Sequence, residues 1–351
     1  MITLLLTRGG LSLTAAMLVV ASCASAPPRG EVSPSHAPAT WTDAGGHRNG
    51  RLAIDGTWIH YVDYGGAGRP LVFLAGLGNT AHVFDDFAPR FTDAFRVIAV
   101  TRRGYGESGR PAKGFDTQRL TEDVRAVLDS LRLERVILAG HSVAGDELTA
   151  FAARYPDRTS AVVYLEAAYD RSGMSGRLVK LGLTKQLPPA PPHADEKDRG
   201  SIGAYRAYLT RQYGVEWPES EVRATHVFDG GGRYVRDASG PATNWKILRG
   251  ESSLAYDRVV APVLAMYAVD REIERDYPWM KQMTIGRGAA EQQAERAQRA
   301  EREWEAEERN RLRTALPRVR IVEIRNASHF VFISHADLVE REIRAFVTGG
   351  S

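Results

Sequence analysis

Short apolar runs alternate with helical segments along most of this chain, and that rhythm limits the fold more than any other feature. Pro70–Leu74, Arg96–Thr101, Arg135–Ala139, Ala161–Leu165, Pro262–Met266 and Val319–Ile324 are rich in Val, Ile, Leu and Ala. Runs without polar alternation suit strands buried on both faces, the habit of parallel sheets covered by helices. Between them, Leu120, Val124, Val127, Leu128 and Leu131 keep a helical period. Glu147–Tyr155 reads as a helix that ends before Pro156, and Leu338–Val347 as a closing helix. Arg51–Tyr64 reads as a hairpin turning at Asp55-Gly56. The expected class is α/β, with a mostly parallel central sheet flanked by helices.

Charge and cysteine content remove several function classes. The 46 basic and 43 acidic residues leave a net charge of +3, too weak a field to suggest nucleic-acid binding. Cys23 is the one cysteine, so no intramolecular disulfide, multi-cysteine zinc site or iron–sulfur cluster can form. No metal and no cofactor is expected.

The first residues read as an export signal. Leu11–Val20 is an apolar run behind Arg8, followed by the small residues Ala21 to Ala26. It is shorter than the roughly 20 residues a membrane span needs, and it suits the apolar region of a signal peptide. Residues 1–23 are therefore read as a signal peptide. Residues 24–46, rich in Pro, Ser, Ala and Thr, are read as a disordered linker. Two processing routes stand open. Ala24-Ser25-Ala26 fits ordinary cleavage, whereas Val20-Ala21-Ser22-Cys23 resembles the lipobox of bacterial lipoproteins. The second implies lipidation of Cys23, membrane attachment, and a periplasmic or outer-membrane location.

Residues 47–170 and 258–351 carry the strand–helix rhythm. Residues 171–257 do not, and they hold Tyr205, Tyr208, Tyr213 and Trp217. Within the last part, 287–313 is strongly charged. Its Glu295–Arg299, Glu305–Arg309 and Glu307–Arg311 spacings predict a solvated helix. Ala290, Ala294, Ala297 and Trp304 form one stripe that could dock, but the solvated reading is preferred.

The chemistry concentrates at Gly140-His141-Ser142-Val143-Ala144-Gly145, between a strand and a helix. A serine on such a sharp turn is strained, exposed above the sheet, and close to a helix N-terminus that favours developing negative charge. With this context the chain, from about residue 50 to 350, resembles the α/β-hydrolase superfamily, although Ala144 replaces the last glycine of G-x-S-x-G. Leu74-Ala75-Gly76-Leu77-Gly78-Asn79 resembles its oxyanion loop, with Ala75 in place of histidine. Arg102-Arg103-Gly104-Tyr105-Gly106-Glu107-Ser108 resembles its D-x-R-G-x-G-x-S loop, with Thr101 in place of aspartate, and is read as structural. Ser328-His329-Phe330 falls where the family keeps its catalytic histidine.

The resemblance implies a helical cap over 171–257, Ser142 as nucleophile and His329 as base, with His335 the rival. It also implies an oxyanion hole from the backbone N–H of Leu77 and Val143. The acid stays open. Most family members place it after the Pro262–Met266 strand, where Asp270 lies. Tyr164-Leu165-Glu166-Ala167-Ala168 looks like the acid site of glutamate-using haloalkane dehalogenases, and Glu166 is preferred. Serine cannot form the ester intermediate of the aspartate-based dehalogenases and epoxide hydrolases. It implies acyl transfer, with a small or medium ester as the expected substrate. The alternatives are C–C or lactone hydrolysis on the same scaffold, or a lipid-anchored binding protein without catalysis.

Overall fold

The structure, a computed structural model, describes residues 46–171, 190–250, 253–283 and 287–349. The signal segment, Cys23 and all of the linker but Gly46 lie outside the described residues. Among those described, no helix is long and apolar enough to cross a membrane.

The chain opens with β1 (Arg48–Ile54) and β2 (Thr57–Gly65), an antiparallel hairpin. Asp55 and Gly56 both take positive φ, 44° and 75°, as the expected two-residue turn requires. Next come β3 (Arg69–Leu74), β4 (Phe95–Thr101), α1 (Thr117–Ser130), β5 (Val136–His141), α2 (Ala144–Arg154) and β6 (Thr159–Leu165). An insertion follows, containing α3 (Ile202–Tyr213), α4 (Glu219–Thr225), the small hairpin β7 (His226–Phe228) with β8 (Tyr234–Asp237), and α5 (Pro241–Arg249). The chain returns with β9 (Val263–Val269), α6 (Arg287–Ala315), β10 (Arg320–Arg325) and α7 (Ala336–Thr348).

Eight strands form one sheet in the order β1-β2-β4-β3-β5-β6-β9-β10. β2 runs antiparallel to β1 and β4, and every other pairing is parallel. The chain is an α/β-hydrolase fold, with a mostly parallel central sheet flanked by helices. Side chains alternate across it. Leu71 and Phe73 enter a core shared with Phe84, Phe91 and α7, whereas Val72 and Leu74 enter the opposite core with Val127 of α1 and Leu148 of α2. Each fully buried Leu, Val or Phe contributes roughly 1.5–3 kcal/mol, so both layers are needed to hold the sheet.

The structure corrects the reading of the charged helix. α6 docks through Ala290, Ala294, Ala297 and Trp304, all buried, and it buries Gln298, Glu301, Glu305 and Glu308 as well. Arg271 explains part of this. Its buried guanidinium draws Glu305 at 2.9 Å and Asp276 at 2.5 Å, so the carboxylates enter as partners of a cation.

Candidate active site

Four chain segments meet here, those that follow β3, β5, β6 and β10. Ser142 ends β5 with φ +55°, a left-handed conformation costly for a residue with a side chain. Its own N–H donates to Leu165 O (3.1 Å), and its carbonyl accepts from Gly145 N (3.0 Å). The two glycines that the turn needs are Gly140 and Gly145. A Cβ at Gly140 would stand 2.6 Å from Leu148, and one at Gly145 would stand 2.6 Å from the backbone N of Ala168. The methyl of Ala144 is accommodated and buried, so the departure from the motif does not disturb the turn.

The loop after β3 comes close to this serine. A Cβ on Gly76 would lie 2.6 Å from His141 Nδ1 and 3.4 Å from Ser142 Cβ, so only glycine permits that approach. The backbone N–H groups of Leu77 and Val143 find no acceptor among the described residues. Two amides left in that state can donate to an anion. Arg102 holds the loop from behind. Its guanidinium donates to Ala75 O (3.0 Å) and Gly76 O (3.2 Å) and pairs with Glu147 of α2 at 2.5 Å. The loop read as structural therefore fixes the oxyanion loop against the helix that starts at the serine.

His329 lies in the loop after β10, and its Nδ1 is 3.3 Å from Glu166 Oε2. Glu166 sits at the end of β6 with φ +50°, and its other oxygen accepts from Ala268 N at 2.5 Å. Asp270, the alternative acid, is not beside the imidazole. Its side chain is 63% exposed at the surface, 3.5 Å from Arg325. Both acids follow a strand in a left-handed conformation, but β9 runs three residues past Met266, the partner of Leu165, and so carries Asp270 beyond the level at which Glu166 leaves β6. His335, the rival base, lies at the N-terminus of α7 and bonds to Ser334 Oγ. His141 pins the loop that carries His329, with its Nε2 3.0 Å from His329 O and its ring centroid 4.6 Å from that of His329.

Electrostatics follow from burial. Burial, and then the Arg171 and Arg271 guanidinium groups, lower the basicity of His329, so its imidazole is neutral at pH 7 and able to accept a proton. Burial raises Glu166 to about 7, opposed by Arg271 and by the Ala268 N–H. His141 is likewise held neutral, chiefly by burial and then by His329. Among the described residues no hydrogen bond joins Ser142 Oγ to the imidazole. Such contacts are commonly long before substrate binds; here a neutral base and a buried carboxylate line one cleft, and the serine follows His141, whose ring lies 4.6 Å from that of His329.

Sequence reasoning missed Arg271 and Glu221. Glu221 of α4 accepts from Asn79 Nδ2 (2.9 Å), Thr80 N (3.1 Å) and Thr80 Oγ1, which ties the insertion to the oxyanion loop. Tyr213 and Trp217 of the insertion pack edge-on against Phe330, next to His329.

Comparison with known proteins bears on the fold and the family. Residues 71–342 match the alpha/beta hydrolase family model. A putative non-heme haloperoxidase of Mycobacterium phage D29 is 39% identical over 104 residues, 29% of this chain and 37% of that protein. A 2-(acetamidomethylene)succinate hydrolase of Mesorhizobium japonicum is 27% identical over 205 residues, 57% of this chain and 70% of that protein. The chain thus spans little more than a third of the first relative and about two thirds of the second. The crystal structure of E-2-(acetamidomethylene)succinate hydrolase superposes with a TM-score of 0.62 at 20% identity, covering 86% of this chain and 99% of the other. With its family match running through both halves of the sheet, the chain belongs to the alpha/beta hydrolase family of enzymes.

Proposed function

We propose that this enzyme is an exported serine hydrolase acting on a small or medium ester. In this reading His329 Nε2 takes the proton from Ser142 Oγ while Glu166 holds the Nδ1–H. The oxygen attacks the substrate carbonyl, and the N–H groups of Leu77 and Val143 receive the negative charge on the tetrahedral oxygen. Collapse expels the alcohol with the proton from the imidazole, and water then releases the acyl group by the reverse relay. The contact between His329 and Glu166 at 3.3 Å, beside the strained turn at Ser142, carries the reading. The insertion serves as a cap whose Tyr213 and Trp217 border the acyl side.

A fluorophosphonate probe tests it. The folded wild type should label and Ser142→Ala should not. Equal labelling of both, or none of the folded wild type, would refute a serine nucleophile. A panel of esters of varied acyl length then sets the substrate range.

One observation favours a second substrate class. Arg275 lines the same cleft as His329, Glu166 and Tyr213, and among the described residues its guanidinium has no ion-pair partner. A carboxylate-bearing ester or amide would supply one, as would a substrate like that in the name of the Mesorhizobium relative. Loss of any preference for anionic over neutral substrates in Arg275→Gln supports this class, and an absent preference in the wild type removes it. For export, mass spectrometry of the mature N-terminus separates a lipidated Cys23 from a chain starting at Pro27.

A further inference from the structure

Outside the cleft, three imidazoles gather around one carboxylate. His47 lies just before β1, and His82 lies on the 3-10 helix Ala81–Phe84 that follows the oxyanion loop. Asp85 closes that helix as its C-terminal cap. One ligand atom from each of His47, His82 and Asp85 lies within 4.8 Å of the other two. The rings of His47 and His82 are 5.7 Å apart, and His60 packs 5.5 Å from His82. His60 is committed elsewhere, its two nitrogens held by Thr101 Oγ1 (2.9 Å) and Asn49 Oδ1 (3.0 Å).

We propose that His47, His82 and Asp85 form a site for a divalent transition-metal ion of the zinc type. Two imidazoles and one carboxylate are the donor set that zinc and its neighbours prefer over magnesium or calcium. Donors around a tetrahedral zinc stand about 3.3 Å apart, so side-chain rotation suffices to close the spacing seen here. His82 Nδ1 and Asp85 Oδ2 already stand 2.9 Å apart. The carboxylate is oriented before any ion arrives. Tyr64 donates to its Oδ1 at 2.5 Å, and Ser220 Oγ of α4 donates to its Oδ2. Hydrogen-bonded support of this kind fixes a ligand's direction and raises metal affinity. The ligands come from two stretches far apart in sequence, so an ion here staples the start of β1 to the helix behind the oxyanion loop. It plays no part in the acyl chemistry.

Cobalt(II) reports the site directly, because nitrogen–oxygen coordination of low number gives strong visible bands. The full chain is titrated with cobalt(II), then with zinc(II) as competitor, and its thermal midpoint is followed with and without zinc. The expected result is one cobalt per chain with a visible band, displacement by zinc, and a zinc-dependent rise in the midpoint of several degrees. His47→Gln and Asp85→Asn should each weaken binding at least tenfold and abolish the rise, with the far-UV spectrum unchanged. Cys23→Ser should change nothing. Binding that survives in both His47→Gln and Asp85→Asn, or that disappears in Cys23→Ser, would place the metal elsewhere and overturn the proposal. So would the absence of a visible band at equimolar cobalt.

Discussion

Replacing Glu166 by Gln separates two consequences of one buried carboxyl. The side chain is 1% exposed, and burial raises it from 4.5 to about 7. The folded chain therefore holds the proton more tightly than the unfolded chain. Stability from this group is complete below pH 4.5 and is lost as pH rises through 7. At about 1.4 kcal/mol per unit, the loss is about 3 kcal/mol. Glutamine keeps an oxygen for the Ala268 N–H but has no proton to lose. Between pH 5 and 8.5 the stability of Glu166→Gln relative to wild type should rise by about 3 kcal/mol, read by urea denaturation with tryptophan fluorescence. Activity moves the other way. The amide N–H would face His329 Nδ1 and fix the tautomer in which Nε2 carries the proton, so the base is lost. A fall in kcat of about 10⁴-fold on a nitrophenyl ester is the scale expected of such a swap. If Glu166→Gln kept its activity within tenfold while Asp270→Asn abolished it, the acid would be misassigned. Parallel pH–stability curves for variant and wild type would refute the raised carboxyl.

Ser142→Gly should remove activity yet raise stability by about 1–2 kcal/mol, since glycine adopts φ +55° without penalty, and a loss of stability would contradict strain at the turn. Gly76→Ala puts a methyl 2.6 Å from His141 Nδ1, so it should displace the Leu77 amide and lower kcat by about 10²-fold or more with a smaller change in KM. The rate constant kcat/KM should rise with pH to a plateau through an apparent midpoint near 7, a value belonging to the Glu166–His329 pair; a profile flat from pH 5 to 8 would exclude it. Trp304→Ala should cost about 3–5 kcal/mol in denaturant unfolding, because that ring is buried and packs 5.1 Å from Tyr169; a surface-like cost below 1 kcal/mol would mean that α6 does not dock.

Much of the fold was legible because it rests on local signals. Unbroken apolar runs marked β3, β5 and β6, and Asp55-Gly56 marked the first turn. The positions of the proposed serine, histidine and two amides were legible because turn chemistry places them within a few residues of a strand end. Glu166 was legible only as one of two strand-end carboxylates, since nothing local tells which of two left-handed residues, Glu166 or Asp270, folds inward. Arg271, Glu221 and the His47–His82–Asp85 cluster were not legible. Their meaning lies in partners far away in sequence, such as Arg271 with Glu305 or Glu221 with Thr80. The charged helix misled for the same reason. Alternating Glu and Arg spell a solvated face, and only a buried cation elsewhere turns that face inward.

That cation gives α6 a bearing on the cleft. Glu166 and Glu305 each lie fully buried, burial raises each to about 7, and the Glu166 charge adds to the rise at Glu305. Two carboxylates so placed could not both ionise near neutral pH without a positive charge between them. Arg271 supplies it, bonding Glu305 and Asp276 and also donating to Ala268 O (3.0 Å), on the same residue whose N–H holds Glu166. Glu221 of α4 is a third buried carboxyl raised to about 7, here by burial against the hydrogen bonds of Thr80 and Asn79. All three work against folding as pH climbs past neutrality, while ionised Glu166 is what the base requires. The ionisation of Glu166 that the proposed relay needs thus comes, above pH 7, with ionisation of Glu221 and Glu305, which weakens the packing of α4 and α6 onto the sheet. If the proposed relay holds, its best compromise falls close to neutral pH, where burial has raised these acids and Arg271 limits the rise at Glu166 and Glu305.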